Sequence, residues 1–262
     1  MEVNNKTAPV TGQQDQNTIS LDLMNRMKLH GMAEAFRESL AGTTPQSMTA
    51  DTFLSMLLAR EWDYRAQAAI ARLTKNAAFR YKAYIEQVDY ATNRGLDRNQ
   101  MERLATLDFV HKAQNLFITG SSGTGKSYLA CALGQEACKR GFRTFYANAP
   151  KLFGALKVAK VKGTLETELK KIERCQLLIL DDLFIVPLDA KERPILLDII
   201  EDRHERKSII ITSQYPSSNW YDMVGEPTIA DAILDRIIHT AHTIELYGES
   251  MRKLRSKKNG KF

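Results

Sequence analysis

The sequence predicts an α/β fold, a parallel sheet between layers of helices, preceded by a small all-helical domain. Three observations predict it. Residues 19–107 hold few glycines and carry apolar residues at steps of three and four. From about Leu107 onward, four short apolar runs alternate with helical stretches. The first of those runs leads into a glycine-rich loop that opens a helix. At 262 residues, with 44% apolar and 26% charged residues, the composition is that of a soluble globular protein able to bury a core.

Taken in order, residues 1–18 include "MEVNNKTAPVTGQQDQNT", which is polar and has no apolar h-region, so they read as a disordered leader. No run approaches the ~18 apolar residues of a membrane span, and a cytoplasmic protein without membrane partners is expected. Residues 19–107 form the helical domain: Leu29, Met32, Phe36 and Leu40 share one face. Phe53, Leu57, Ile70 and Leu73 continue the pattern after a turn at Thr44 and Pro45. Residues 108–250 form the α/β domain, whose strands are "NLFIT" (115–119), "RTFYA" (143–147), "QLLIL" (176–180) and "SIIIT" (208–212). Residues 251–262, "MRKLRSKKNGKF", are a basic tail. Cys131, Cys138 and Cys175 show no CxxC or metal spacing and read as small buried apolar residues.

The net charge of +6 equals the six bases of that tail, so the body sums to zero. A solvated tail alone accounts for the total. Between Arg60 and Lys82, however, six bases including Arg65, Arg72, Lys75 and Arg80 stand against Glu61 and Asp63, interleaved with Trp62, Tyr64, Phe79 and Tyr81. That mixture fits a surface for nucleic-acid phosphates and bases; an ordinary charged helix face is the alternative. A second group, Lys157, Lys160 and Lys162 in "KLFGALKVAKVKG", leaves the same two readings open.

The chemistry is carried by "GSSGTGKS", Gly120, Ser121, Ser122, Gly123, Thr124, Gly125, Lys126 and Ser127, followed by Tyr128. It fits GxxxxGK[ST] between a strand and a helix. Backbone N–H groups there wrap a phosphate chain, Lys126 reaches the terminal phosphates, and Ser127 offers a hydroxyl to Mg²⁺. The run "CQLLILDDLFIVP" then places Asp181 and Asp182 at the end of an apolar strand. Two buried acids cost several kcal/mol each unless a cation offsets them. The metal and Lys126 are the cations expected: Asp181 as Mg²⁺ partner and Asp182 as the base that orients water. Capping the next segment is the alternative for Asp182. No [NT]KxD motif argues for GTP, and no arginine-rich lid argues for a small-molecule kinase. "SIIIT" ends in Ser213 and Gln214, polar groups delivered beside the phosphate loop.

Together with "LLAREWDYR", "IIEDRHERKSIIITSQYPSSNW", "AILDRIIH" and "GESMR", these motifs resemble the IstB-like ATP-binding proteins of insertion sequences over about residues 20–255. These are AAA+ ATPases related to the DnaC helicase loaders and, more distantly, DnaA. The resemblance implies ATP and Mg²⁺ as cofactors, a homo-oligomer on DNA, and a transposase partner. It implies Arg236 as an arginine finger into the adjacent subunit, Arg252 as a sensor on the chain's own nucleotide, and Gln214 as the sensor at the strand end, where many relatives have Asn. A helicase loader, and a nucleotide-binding DNA-architectural protein without useful hydrolysis, are the alternatives.

Overall fold

The computed structural model describes residues 11–42, 48–239 and 241–258. The turn expected at Thr44 and Pro45 lies outside them, as do residues 1–10 and 259–262. Two compact units divide the chain, Met1–Ala71 and Arg72–Phe262.

The first unit contains α1 (Thr11–Arg26), α2 (His30–Leu40) and most of α3 (Ala50–Ala77). Helix α1 begins inside the stretch expected to be a leader. Its half-buried Asn17, Ser20, Leu21 and Met24 recur at helical spacing, and α1 packs on α2, which carries the helix upstream of the apolar pattern. Glu61 on α3 is buried and accepts from the N–H groups of Gly31 (2.8 Å) and Met32 (3.2 Å), so a side chain of one helix caps another.

A domain boundary is expected near residue 107, whereas the division between the two compact units falls within the last two turns of α3. That helix has 28 residues with no Gly or Pro to mark a break. The residues after it pack on the sheet: Phe79, Tyr81, Ala83, Val88, Met101, Leu104 and Leu107 join the cluster built on one sheet face. Helices α4 (Arg98–Ala105), capped by Asp97, and α5 (Asp108–His111) complete this segment.

The remaining elements are β1 (Leu116–Gly120), α6 (Lys126–Lys139), β2 (Thr144–Asn148), α7 (Ala149–Val161), α8 (Leu165–Glu173), β3 (Leu177–Asp181), α9 (Glu192–Arg203), β4 (Ser208–Ser213), α10 (Trp220–Val224), α11 (Pro227–Ile238), β5 (His242–Leu246) and α12 (Met251–Lys258). The five strands are all parallel in the order β2-β3-β4-β1-β5. Successive residues of a strand face opposite sides, and the sheet shows this in its packing. Leu116, Ile118, Leu177, Ile179, Ile210 and Ile244 join one cluster with α6. Phe117, Leu178, Leu180, Ile209 and Ile211 join the other, with α7, α9, α10 and α11. Both faces are covered, which is why the strands read as unbroken apolar runs. The three cysteines are buried and free. The expected basic tail starts as a helix, α12, held by the N–H of Met251 on the carbonyl of Gly123 (2.9 Å).

Candidate active site

Strands of a parallel sheet end at one edge, and loops leaving that edge converge. Here β1 ends in the glycine-rich loop, β3 in Asp181 and β4 in Ser213, with Thr119 beside Ser213 in register. Gly120 has φ +134°, and a Cβ there would overlap the Leu246 carbonyl of β5, so the loop can leave the sheet only through glycine. Gly125, φ +104°, opens α6, so the first N–H groups of a 14-residue helix face the loop.

A cleft of about 430 Å³ lies at this edge. Of the residues expected to hold nucleotide, Ser122, Gly123, Gly125, Lys126, Ser127, Tyr128 and Arg252 line it, with Asp182 and Gln214. Ser121 and Thr124 shape the loop through a hydrogen bond from the Thr124 hydroxyl to the Ser121 carbonyl (2.9 Å). The Lys126 ammonium donates to the carbonyls of Gly120 (2.6 Å) and Ser121 (2.9 Å). Burial lowers its pKa, and Asp182 and Asp181 act against that shift.

Asp181 is fully buried and held from both neighbouring strands. Tyr146 of β2 donates to Oδ2 (2.6 Å) and Thr212 of β4 to Oδ1 (2.7 Å). Asp182 has φ +60°, its N–H bonds the Thr212 hydroxyl (2.9 Å), and its carboxylate accepts from Asn148 (3.1 Å). It caps no helix. Its pKa is raised by burial and by Asp181, with Arg80, Lys126 and Arg252 opposing. A carboxylate pushed upward in a cleft is suited to accepting a proton.

The charge offset at the two acids differs from the expected metal and lysine alone. Arg80 lies 3.6 Å from each. It was expected on a nucleic-acid surface and instead lines the cleft. Arg94, also missed in the sequence, is buried and donates to the carbonyls of Thr124 (2.7 Å) and Asp89 (2.9 Å), bracing the loop. Neither has a local signal: both sit in the irregular segment after α3. The polar ends of "RTFYAN" and "SIIITS" did carry a signal for Tyr146, Asn148 and Thr212, since strands flanking the acidic one must present side chains to it.

Arg236 lies elsewhere. It pairs with Glu201 of α9 (3.1 Å), and it donates to the Ala232 carbonyl (2.7 Å). It lines a second hollow with Asn115, Arg203 and His204, where β1 and β4 begin. A five-residue strand spans roughly 16 Å, so this is the opposite edge of the sheet from Gly120.

The basic residues expected to meet DNA divide into two groups. Lys157 is held by Asp189 (2.8 Å) and Glu192 (2.7 Å), and Arg65 by Glu61 (2.6 Å). Arg72, Lys75, Lys160 and Lys162 are exposed. Among the described residues, no helix is long and apolar enough to cross a membrane.

The donor set also limits how a cation could be held. Among the described residues no three His, Cys, Asp or Glu side chains form a metal cluster. Asp181 and the Ser127 hydroxyl fit Mg²⁺, which is commonly bound by one or two carboxylates together with substrate phosphate oxygens, and Asp182 adds a second negative charge beside them.

The profile of the family described as IstB-like ATP binding protein matches residues 22–259. An insertion sequence ATP-binding protein of Sinorhizobium fredii is 43% identical over 240 residues, 92% of this chain and 98% of that protein. The insertion sequence IS21 ATP-binding protein of Pseudomonas aeruginosa is 32% identical over 91% of this chain and 90% of its own length. Among solved structures, that of DnaI has a TM-score of 0.56 at 26% identity, covering 67% of this chain and 93% of that one. The DnaC helicase loader has a TM-score of 0.50 at 25% identity, covering 63% and 97%. With the match running through both the helical region and the phosphate-loop core, this chain belongs to the IstB-like ATP-binding proteins of insertion sequences, on the AAA+ fold shared with DnaC and DnaA.

Proposed function

We propose that this chain is an ATP-hydrolysing, DNA-binding regulator of transposition, which assembles on DNA as a homo-oligomer and recruits or activates the transposase encoded beside it. The observation that carries the reading is the meeting of Lys126, Asp182 and Gln214 in one cleft, in a chain whose full-length relatives are named insertion sequence ATP-binding proteins. In this reading the phosphate loop from Gly120 to Ser127 and Tyr128 bind ATP, and Lys126 and Arg252 meet its phosphates. Ser127 and Asp181 would hold Mg²⁺, which supplies charge neutralisation at the phosphoryl oxygens when bound. Tyr146 and Thr212 fix Asp181 so that it cannot rotate away. Asp182 orients and deprotonates the attacking water, and Gln214 reports on the terminal phosphate. The exposed Arg72, Lys75, Lys160 and Lys162 meet DNA phosphates.

Arg236 serves a neighbouring subunit's site. Its place at the far edge of the sheet supports this, because it is remote from its own phosphate loop. A second reading, a helicase loader, is favoured by the similarity to the DnaC helicase loader and differs in its partner.

The test is ATP hydrolysis with and without DNA by wild type, Lys126→Ala, Arg236→Ala and a mixture of the two variants. An arginine supplied in trans is worth on the order of 10³ to 10⁵ in rate, so each variant should be nearly inactive and the mixture should regain part of the activity. No recovery in a mixture that co-assembles would remove the trans role. A folded wild type that binds ATP and DNA without turnover would favour the architectural alternative, and capture of a replicative helicase rather than the transposase would favour the loader.

A further inference from the structure

Arg80 is reached within three residues of the end of α3. The chain leaves the helix at Ala77, Ala78 takes φ +57°, and Phe79 packs on the sheet cluster. Arg80 then projects over the end of β3, its Nη1 3.6 Å from Oδ2 of Asp181 and 3.6 Å from Oδ2 of Asp182. Its guanidinium carbon sits 5.3 Å from the centre of the Tyr81 ring. The distances to the acids are those of ion pairs without direct hydrogen bonds, and the hydrogen bonds to Asp181 come instead from neutral hydroxyls, Tyr146 and Thr212. Lys126, the cation expected beside the acids, has its ammonium on two loop carbonyls.

We propose that Arg80 is a built-in counter-ion that competes with the divalent cation for the Asp181–Asp182 pair, so that loading metal and nucleotide displaces the segment 79–82. The inference rests on the reading of the cleft as an ATP site. A guanidinium and a divalent cation repel strongly at contact distance in a half-buried cleft. Arginine does not lose its proton in proteins, so it yields the acids only by moving. Phe79 and Tyr81, on either side of Arg80, pack on the sheet cluster, so displacement of Arg80 from the acids is expressed in the segment 79–82. Arg80 is thus a positioning residue for the metal, and the occupancy of the acids is read out in the segment 79–82.

The experiment titrates Mn²⁺, followed by electron paramagnetic resonance, into wild type, Arg80→Gln and Arg80→Lys, first alone and then with a non-hydrolysable ATP analogue. Arg80→Gln should bind Mn²⁺ about tenfold tighter or more, and Arg80→Lys should stay near wild type. Asp182→Asn added to Arg80→Gln should cancel the gain, which locates the ion at this pair; circular dichroism checks the fold of each variant. Trypsin supplies an independent readout at Lys82, which is exposed. Cleavage there should accelerate in wild type with Mg²⁺ and analogue together, and should be fast in Arg80→Gln without either. Equal Mn²⁺ affinity in wild type and Arg80→Gln overturns the proposal. So does weaker analogue binding in Arg80→Gln at unchanged Mn²⁺ affinity, which would make Arg80 a phosphate contact. Binding of a fluorescent ADP analogue, measured in parallel, separates the two levels. Wild type that binds no nucleotide sinks the ATP-site reading, whereas normal nucleotide binding with equal Mn²⁺ affinity sinks only the role of Arg80.

Discussion

In the sheet unit Phe117, Phe184 and Trp220 are at most 2% exposed and their rings meet at 4.7 and 5.3 Å, whereas in the helical unit Trp62 is 76% exposed and Leu54 and Leu58 more than half. A sheet covered on both faces buries every residue of β3 and β4. The helical unit buries little more than Ala33, Ala35 and Leu57 among its described apolar residues, so a larger share of its order rests on polar contacts such as those of Glu61. The comparison teaches where each unit is vulnerable: the sheet unit to lost volume, the helical unit to lost charge.

The largest effect that tests this is Phe117→Ala. Truncating a buried phenylalanine costs about 3–5 kcal/mol, and loss of the Trp220 contact would loosen the loop after β4, because the Trp220 indole N–H holds the Tyr215 carbonyl (3.0 Å). Chemical denaturation should show a large drop in midpoint; a small one would mean the sheet core repacks freely.

Next comes Glu61→Gln, expected to cost about 1–3 kcal/mol because a charged acceptor of buried N–H groups is lost. Burial would raise the pKa of Glu61, but Arg65 and the N–H groups of Met32 and Gly31 outweigh it and the net shift is downward. The stabilisation is therefore present above the ordinary glutamate range and is lost as pH falls through the lowered value. Hydrogen exchange should show α2 losing protection in the variant at neutral pH, and in wild type only on acidification. Uniform loss across β1–β5 would contradict the local role.

The smallest effect is Asp182→Asn, and it has the opposite sign. The raised pKa means the fold disfavours the ionised form, a cost present at neutral pH that fades as pH falls through the raised value towards the ordinary aspartate value. The variant should melt at a slightly higher temperature at neutral pH, with the gain vanishing in acid. A lower melting temperature would show that the Arg80 and Asn148 contacts outweigh burial.

The same contrast explains what could be read from sequence. Strands β1 to β4 were legible because parallel strands buried on both faces are apolar runs, and Lys126, Ser127, Asp181 and Asp182 because fixed spacing ties them to strand ends. Asp182 was legible as an acid of the site but not in its company: Arg80 and Arg94 reach the cleft through residues 78–97, which follow no period. The division within α3 was hidden because nothing in a helix without Gly or Pro shows where one packing partner ends and another begins. Lys157 looked available beside Lys160 and Lys162 because its partners, Asp189 and Glu192, lie more than thirty residues away.

The stretch after β5 has a practical side. Ser250 stands where a Cβ on Gly123 would be, the N–H of Met251 holds the Gly123 carbonyl, and the N–H of Tyr247 holds the carbonyl of Arg94, which braces Thr124. Residues 247–251 therefore form the back wall of the phosphate loop. Removing the residues that follow β5 would spare the five described strands and dismantle the pocket, so a truncation there is expected to fold yet lose its grip on nucleotide.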